Sequence, residues 1–241
     1  MNNTHCKAGR PRKTDKDVYF ADKLKTADFN TGFFQIPAIP YFNVEKPHAV
    51  VLWSERKKCK EKHRCALLFY EFDCRFDGKR GIYNILKYGS QTQVESLISE
   101  IKDFSFVVCP DYSVFGDFPN YKQIDALARS REVGYILSTY GIKVVVNFRA
   151  TYEWTYELAL EGIPRGGVIA IGTLGALRDK ESRKLLDNSI NALLKRVSLK
   201  AVLVYGSAPG GMLDKFAEAG VEVWHFNSRI GDFYTNKKQA N

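Results

Sequence analysis

Polar side chains follow a series of apolar runs in this sequence, and their chemical types suit the binding of phosphate or a metal ion. Carboxylates are oxygen ligands for Mg²⁺, hydroxyl and amide groups donate to phosphate oxygens, and an arginine forks onto phosphate or carboxylate. The residues at or just beyond the ends of the runs are Asp73, Asp111, Ser113, Asn147, Arg149, Glu153, Thr173, Tyr205, Ser207, His225 and Asn227.

Three carboxylates of this set could hold Mg²⁺ near a phosphate, because this cation often uses one or two carboxylates together with its substrate. They are Asp73, Asp111 and Glu153, and we take Asp111, Glu153 and Arg149 as the candidate catalytic residues. In the structural alternative, Asp111 caps its loop, Glu153 caps the next helix, and Arg149 pairs with one of these acids. No combination completes a mechanism, so enzymatic activity and the Mg²⁺ cofactor both stay open.

Two glycine-bearing loops each follow an apolar run and precede an amphipathic stretch: "GTLGALRDKE" from Gly172 and "GSAPGGM" from Gly206. Such turns can present backbone N–H groups to a phosphate. Neither loop has the Lys-Ser/Thr ending of a Walker loop or a GxGxxG pattern, and the alternative is that the glycines only permit tight turns. The predicted ligand- or phosphate-binding residues are Ser113, Asn147, Gly172, Thr173, Tyr205, Gly206 and Ser207.

Six apolar runs must position these side chains, and they are typical of buried strands. They cover residues 67–73, 105–109, 143–148, 167–172, 201–206 and 221–226. Amphipathic stretches at 122–140, 180–197 and 211–219 predict helices between them. The alternation predicts an α/β fold of about six parallel βα units. An open doubly wound sheet and an incomplete barrel both fit, and both place ligands at the carboxyl ends of the strands.

The first 66 residues differ from this βα core, which spans 67–227. Pro37, Pro40 and Pro47 interrupt the segment 31–66, which predicts extended chain wrapping the domain, with an additional or edge strand at 48–53. We expect residues 1–30 to form a flexible basic arm and residues 31–241 to form a single α/β domain. Of the 241 residues 45% are hydrophobic, which is enough for one large core.

Composition also limits the compartment and the metal chemistry. The chain has no apolar run of membrane-spanning length and its first twenty residues are charged, so we expect a cytoplasmic protein without a membrane partner. Five cysteines at irregular spacing predict free thiols. The segment "CKEKHRC" lacks the ligand spacing of a zinc site, and we predict no metal site there.

The formal net charge of +9 is concentrated in two segments. Residues 7–25 carry seven Lys or Arg against three Asp, and residues 55–64 carry six against two Glu. The stretch "GRPRK" at 9–13 resembles an AT-hook, whose extended core lies in a narrow A·T-rich minor groove. DNA is therefore an expected partner, bound with strong salt dependence. The candidate nucleic-acid-binding residues are Arg10, Pro11, Arg12, Lys13, Arg56, Lys57, Lys58 and Lys60.

The runs "VVCPDYSVFGDFP", "QIDALARSREVGYIL", "GIKVVVNFR", "IAIGTLGALRDKESR" and "VLVYGSAP" resemble, in this order, the family known as domain of unknown function 4417. The resemblance covers about residues 67–227 and leaves the arm outside. It implies an origin in a phage or other mobile element, with the cytoplasm of the host cell as the expected location if the protein is phage-encoded, and it brings no assigned activity. The matching positions are Pro110, Asp111, Ser113, Asp117, Pro119, Arg129, Arg131, Gly134, Asn147, Arg149, Glu153, Gly172, Gly175, Tyr205, Gly206 and Ser207.

This chain departs from the family pattern in two loops. Arg149 is followed by "ATYEWTYE", where the family more often has a small acidic turn, which weakens the case for Glu153. The second glycine loop reads "GGM", where acidic residues are usual.

Three functions fit these observations. The first is a DNA-binding protein of a phage or other mobile element, acting in its replication, maintenance or regulation. The second is an enzyme or sensor acting on a nucleotide or phosphorylated ligand at the strand ends. The third is an adaptor that binds a host or element-encoded protein, with the strand-end residues serving structure.

Overall fold

Seven parallel strands form one sheet in the computed structural model, which describes residues 21–208 and 210–228. The order of the strands in space is their order along the chain, and every neighbouring pair is parallel. The strands are β1 (Ala49–Leu52), β2 (Cys65–Leu68), β3 (Phe106–Val108), β4 (Val144–Asn147), β5 (Gly167–Gly172), β6 (Leu199–Tyr205) and β7 (Glu222–Phe226).

This strand order decides between the two predicted architectures. A right-handed crossover to the next strand each time keeps all helices on one face, whereas a doubly wound sheet reverses direction at a switch point. The sheet therefore curls into a nearly closed barrel, and Phe106 of β3 lies 6.5 Å, between ring centroids, from Trp224 of β7. The α/β fold and its incomplete-barrel form are confirmed, with the predicted edge strand present as β1.

Alternate strand residues divide between two apolar clusters, because successive side chains in a strand point to opposite faces. Leu67 and Val107 belong to the outer cluster, which packs under the helices. Burial on both faces explains why the runs are continuously apolar. The inner cluster fills the barrel with Val44, Ala66, Leu68, Tyr70, Phe106, Val108, Val145, Val168, Ala170, Ala201, Leu203, Tyr205 and Trp224.

The helices cover the outside of the barrel. They are α1 (Ala21–Leu24), α2 (Ile82–Tyr88), α3 (Gln91–Ile101), α4 (Asn120–Thr139), α5 (Trp154–Leu160), α6 (Lys180–Arg196) and α7 (Met212–Glu218). The three predicted helices are confirmed as α4, α6 and α7, each within two residues at either end. No range was predicted for α1, α2, α3 or α5. For α3 the sequence carried a signal, because Ser90 and Gln93 form a capping box at its start.

The strand predicted at 67–73 is misplaced, because β2 covers Cys65–Leu68. Its ladder with β3 pairs only Ala66 with Phe106 and Leu67 with Val107, so there is no strand partner further along. Phe69 and Tyr70 remain buried, but the chain then turns into a 3-10 helix at Asp73–Arg75. In the sequence, buried residues such as Phe69 and Tyr70 that have no strand partner give the same apolar pattern as a longer strand.

The segment before β1 runs without helix or strand over residues 31–47 and lies against the barrel. The Glu161 carboxylate accepts the backbone N–H groups of Phe34 and Ile36 at 2.8 and 3.1 Å. Lys200, at the amino end of β6, donates to Asn43 Oδ1 at 2.9 Å, and Val44 enters the inner cluster. The segment therefore closes the barrel at the amino ends of the strands.

The arm predicted at 1–30 is described only from residue 21 onward. Leu24 belongs to the outer cluster, and the hydroxyls of Thr26 and Tyr135 are 2.9 Å apart, so residues 21–30 lie against α4. Arg10, Pro11, Arg12 and Lys13 lie outside the described residues. Across the described chain, no helix is long and apolar enough to cross a membrane.

Candidate functional site

An ion pair between Asp111, after β3, and Arg149, after β4, lies at the barrel mouth formed by the carboxyl ends of the strands. Arg149 Nε and Nη2 donate to the two carboxylate oxygens of Asp111 at 2.6 and 2.5 Å, and Asn147 Nδ2 donates to Asp111 Oδ1 at 2.7 Å. The Arg149 and Asp111 side chains are only 17% and 11% exposed. Because Asp111 occupies the donor groups of the guanidinium, the structure shows the alternative in which Arg149 pairs with an acid.

The position of Asn147 is set by Tyr70, which the sequence argument overlooked. The Tyr70 hydroxyl donates to Asn147 Oδ1 at 3.0 Å, and its ring stacks on Tyr205 with 5.6 Å between centroids. Burial raises the pKa of Tyr70 well above its ordinary value, and the Asp111 carboxylate raises it further. Tyr70 therefore remains a hydrogen-bond donor, and the chain Tyr70 to Asn147 to Asp111 has a defined direction.

The charge of Arg149 is also protected. Burial lowers the pKa of its guanidinium, but the Asp111 carboxylate, together with Tyr70 and Asp73, raises the pKa above its ordinary value. Arg149 Nη2 also lies 3.4 Å from the Gly172 carbonyl oxygen at the end of β5. The pair thus connects the ends of β3, β4 and β5.

The three candidate Mg²⁺ carboxylates have different surroundings. Asp73 accepts hydrogen bonds from the Ser113 backbone N–H and hydroxyl at 3.2 and 2.9 Å, so Ser113 serves to join two loops. Glu153 is exposed at the start of α5, and its side chain makes no capping hydrogen bond. The structure does not bring Asp73, Asp111 and Glu153 together. Within the described residues, no group of three or more His, Cys, Asp or Glu side chains is placed to hold a metal ion.

The two glycine loops meet in one groove beside this pair. Thr173 donates to the Tyr205 carbonyl oxygen through its backbone N–H at 3.0 Å and its hydroxyl at 3.3 Å. Gly206 adopts a φ of 111°, and a Cβ there would collide with the Thr173 hydroxyl. The groove has a volume of about 530 Å³ and is lined by Thr173, Leu174, Gly175, Leu177, Arg178, Arg183, Ser207 and Ala208.

The helix that follows this groove does not offer a free N-terminus. The Asp179 side chain caps α6 by accepting the Ser182 backbone N–H at 2.8 Å, so a carboxylate already lies where an external anion would bind. Anion binding in the groove would instead depend on Arg178, Arg183 and the exposed Ser207. The glycines and Thr173 mainly hold the two loops together.

The basic segment 55–64 is anchored on the protein surface between β1 and β2. The Arg56 guanidinium carbon lies 3.8 Å from the Trp53 ring centroid, and its Nη2 lies 2.9 Å from Glu100. Lys57 also reaches Glu100 at 2.9 Å, although its side chain is 67% exposed. Arg56 is thus partly engaged within the protein, whereas three lysines of the segment are presented to solvent: Lys57, Lys58 and Lys60.

Two arginines of α4, Arg131 and Arg129, contact parts of the chain that adjoin the site. Arg131 is only 1% exposed, and its Nη1 and Nη2 donate to the carbonyl oxygens of Asn147 and Ala159 at 3.0 and 2.9 Å. Burial lowers its pKa. Arg129 pairs with Asp77 at 2.6 Å. Both arginines matched the family pattern, but a position in a helix does not reveal in the sequence which arginine points inward.

Comparison with known proteins identifies the family. The model described as Domain of unknown function (DUF4417) matches residues 29–226. The chain belongs to this family. The match includes the wrapping segment at 31–66 and the region 67–226, in which the sequence motifs lie. DUF4417 thus covers the whole barrel and all the mouth residues described above.

Two curated relatives of this DUF4417 chain come from phages. It is 27% identical over 112 residues to the Gene 1 protein of Mycobacterium phage L5, covering 46% of this chain and 49% of that protein. It is 27% identical over 112 residues to the Gene 1 protein of Mycobacterium phage D29, covering 46% and 42%. The chain therefore matches less than half the length of these relatives, and the family is phage-associated. No solved structure matches the chain significantly.

Proposed function

We propose that the protein binds DNA through its basic segment, assisted by the AT-hook-like residues 9–13, and that it acts in the replication, maintenance or regulation of a phage or other mobile element. The observation that carries the proposal is the anchoring of the segment. Arg56 is held by Trp53 and Glu100, and Lys62 Nζ donates to the Glu100 carbonyl oxygen at 2.6 Å. Between Arg56 and Lys62, the side chains of Lys57, Lys58 and Lys60 are exposed to solvent.

Three exposed cations within four residues of an anchored segment suit a phosphate backbone. Lys57, Lys58 and Lys60 are exposed, and each phosphate contact that a lysine makes releases counterions from the DNA. This term is independent of base sequence and falls with rising salt. The net charge of +9 and the phage relatives support the same proposal.

The test is the salt dependence of duplex binding. In the triple variant Lys57→Ala, Lys58→Ala, Lys60→Ala, we expect the slope of log affinity against log salt to fall by about 3, since each lost phosphate contact removes about 0.9. Fluorescence anisotropy of a labelled duplex over a salt series measures the slope. A control with the same loss of charge is Lys143→Ala, Lys184→Ala, Lys195→Ala, whose lysines are also exposed. Equal slopes for the two variants would contradict the proposal.

A second candidate function is favoured by the convergence of the two glycine loops. The groove of about 530 Å³ combines Arg178, Arg183 and Ser207, a set that could bind a nucleotide or other phosphorylated ligand as an enzyme or a sensor would. Calorimetric titration with ATP and with inorganic phosphate, with and without Mg²⁺, tests it. We expect Arg178→Ala with Arg183→Ala to weaken binding about tenfold, and the control Arg165→Ala, an exposed arginine outside the groove, to leave it unchanged.

A further inference from the structure

Large aromatic side chains are exposed around the barrel mouth, on three loops and in the first turn of α4. They follow β2, β3 and β4, and we call them the aromatic rim. Contiguous apolar surface of this kind marks an interaction site, because soluble proteins expose little of it. The rim consists of Phe72, Phe115, Phe118, Tyr121 and Tyr152, which are 82, 51, 41, 65 and 39% exposed.

The loops after β3 and β4 pack against each other in the rim. The rings of Phe115 and Phe118 pack edge to face with 5.0 Å between centroids. Tyr152, from the loop after β4, lies so close to Gly116 that a Cβ there would be 2.6 Å from its ring. The loop after β2 joins the loop after β3 through the hydrogen bonds between Asp73 and Ser113. Three loops therefore contribute to the rim.

A buried amide holds the rim in place. Gln123 is 1% exposed, its Nε2 donates to the Phe118 carbonyl oxygen at 2.8 Å, and its Oε1 accepts the Thr151 hydroxyl at 3.0 Å. The residues next to Tyr152 and those around Phe118 are thus tied to the same side chain. The aromatic rings are exposed although their backbones are fixed, so binding a partner would require little ordering of these loops.

Exposed cations neighbour the rim residues along the chain. Lys122 Nζ is 5.3 Å from the Tyr121 ring centroid. Two of the mouth carboxylates, Asp111 and Asp73, accept hydrogen bonds from neighbouring side chains, while Asp117 and Glu153 are exposed. Further exposed cations occur in the chain after β2 and after β5: Arg75, Lys79, Arg80, Arg178 and Arg183.

We propose that the aromatic rim stacks the unpaired bases of single-stranded DNA while the flanking cations hold its backbone. Aromatic platforms flanked by positive charge are the surfaces on which single strands bind, because every base offers a π-face. In a duplex those faces are covered by neighbouring base pairs, so the rim would discriminate between the two forms. The inference rests on the proposed DNA binding and adds the form of DNA that the mouth recognises.

The test compares a labelled oligo(dT) of about 20 nucleotides with a duplex of similar length, using the full chain and fluorescence anisotropy. We expect the double variant Phe115→Ala, Phe118→Ala to bind oligo(dT) at least about tenfold more weakly than the parent protein does. It should bind the duplex as well as the parent protein does. Raising the salt concentration should leave the ratio of the parent's oligo(dT) affinity to the variant's unchanged, since stacking does not release counterions.

The matched control is Phe33→Ala, which removes a 90% exposed phenylalanine from the segment packed near Glu161, away from the mouth. It should bind both probes like the parent protein. Because the double variant could fail to fold, Phe72→Ala, at an 82% exposed position, is measured as well, with the thermal unfolding midpoint as the check.

Two outcomes would overturn the inference and leave the proposed function standing. One is unchanged oligo(dT) binding in both rim variants while the triple lysine variant loses duplex binding. The other is equal loss of both probes in the rim variants, which would make the rim a general surface contact. If the parent protein binds neither probe, and the rim variants abolish association with a protein partner instead, both proposals fail.

Discussion

Asp111 and Arg149 form a bidentate ion pair that is largely buried. Removing one member of such a pair leaves the other charge without compensation, which typically costs several kcal/mol. We expect Asp111→Ala to lower the free energy of unfolding by about 3 kcal/mol, as measured by urea denaturation. The same pairing means that Arg149 contributes to the shape of the mouth before it contributes to any ligand.

The double variant Asp111→Ala with Arg149→Ala distinguishes this effect from simple loss of contacts. With both charges gone, part of the stability should return, giving a coupling of at least about 1 kcal/mol in the double-mutant cycle. If the two single effects simply add, the ion pair does not carry the stability of the mouth. Asn147→Ala, which removes a neutral donor to the same carboxylate, provides the comparison.

At the scale of elements, the end of β5 must pass beneath the Tyr70 ring. Gly172 lies there, and a Cβ on it would collide with that ring. We expect Gly172→Ala to displace Tyr70 from its stack on Tyr205 and to cost about 2 kcal/mol, as overpacking does. Near-ultraviolet circular dichroism and thermal unfolding report the two effects.

The control for this prediction is Gly210→Ala. A Cβ at Gly210 would meet no heavy atom within 4 Å, so its stability and spectrum should stay close to those of the parent protein. An unchanged tyrosine spectrum in Gly172→Ala would mean that the mouth tolerates movement of the stack. The arrangement of the mouth side chains would then depend less on the packing of β5 against Tyr70 than the close contact at Gly172 indicates.

At the scale of the whole molecule, the positive charge is divided between the anchored basic segment and the residues before the barrel. If residues 9–13 enter an A·T-rich minor groove, Arg10→Ala with Arg12→Ala should weaken binding to an A·T-rich duplex about tenfold and remove the preference over a G·C-rich one. Lys7→Ala with Lys16→Ala removes the same charge outside the motif and should weaken both duplexes equally. Gel shifts at low salt measure this, and equal effects of the two variants would exclude the minor-groove role.

Prediction from the sequence succeeded where the signal was local and repeated. The apolar runs that became β3 to β7 and the periodicity of α4, α6 and α7 follow from burial on one or both faces. It failed where the deciding contact is distant. The end of β2 depends on the length of its ladder with β3, and the inward direction of Arg131 depends on the carbonyl oxygens of Asn147 and Ala159.

The sequence by itself determined that Asp111, Asn147 and Arg149 lie at one edge of a parallel sheet, because parallel strands all end on the same side. Only the tertiary structure decided that the sheet curls into a barrel, since strand order depends on pairings between distant residues. It also decided the partners within the mouth. The fork of Arg149 meets Asp111, and Glu153 stays exposed, because side-chain direction at a strand end is set by the neighbouring loops. The charge pattern of the chain was readable in advance, whereas the anchoring of Arg56 on Trp53 was not, because stacking requires the folded surface.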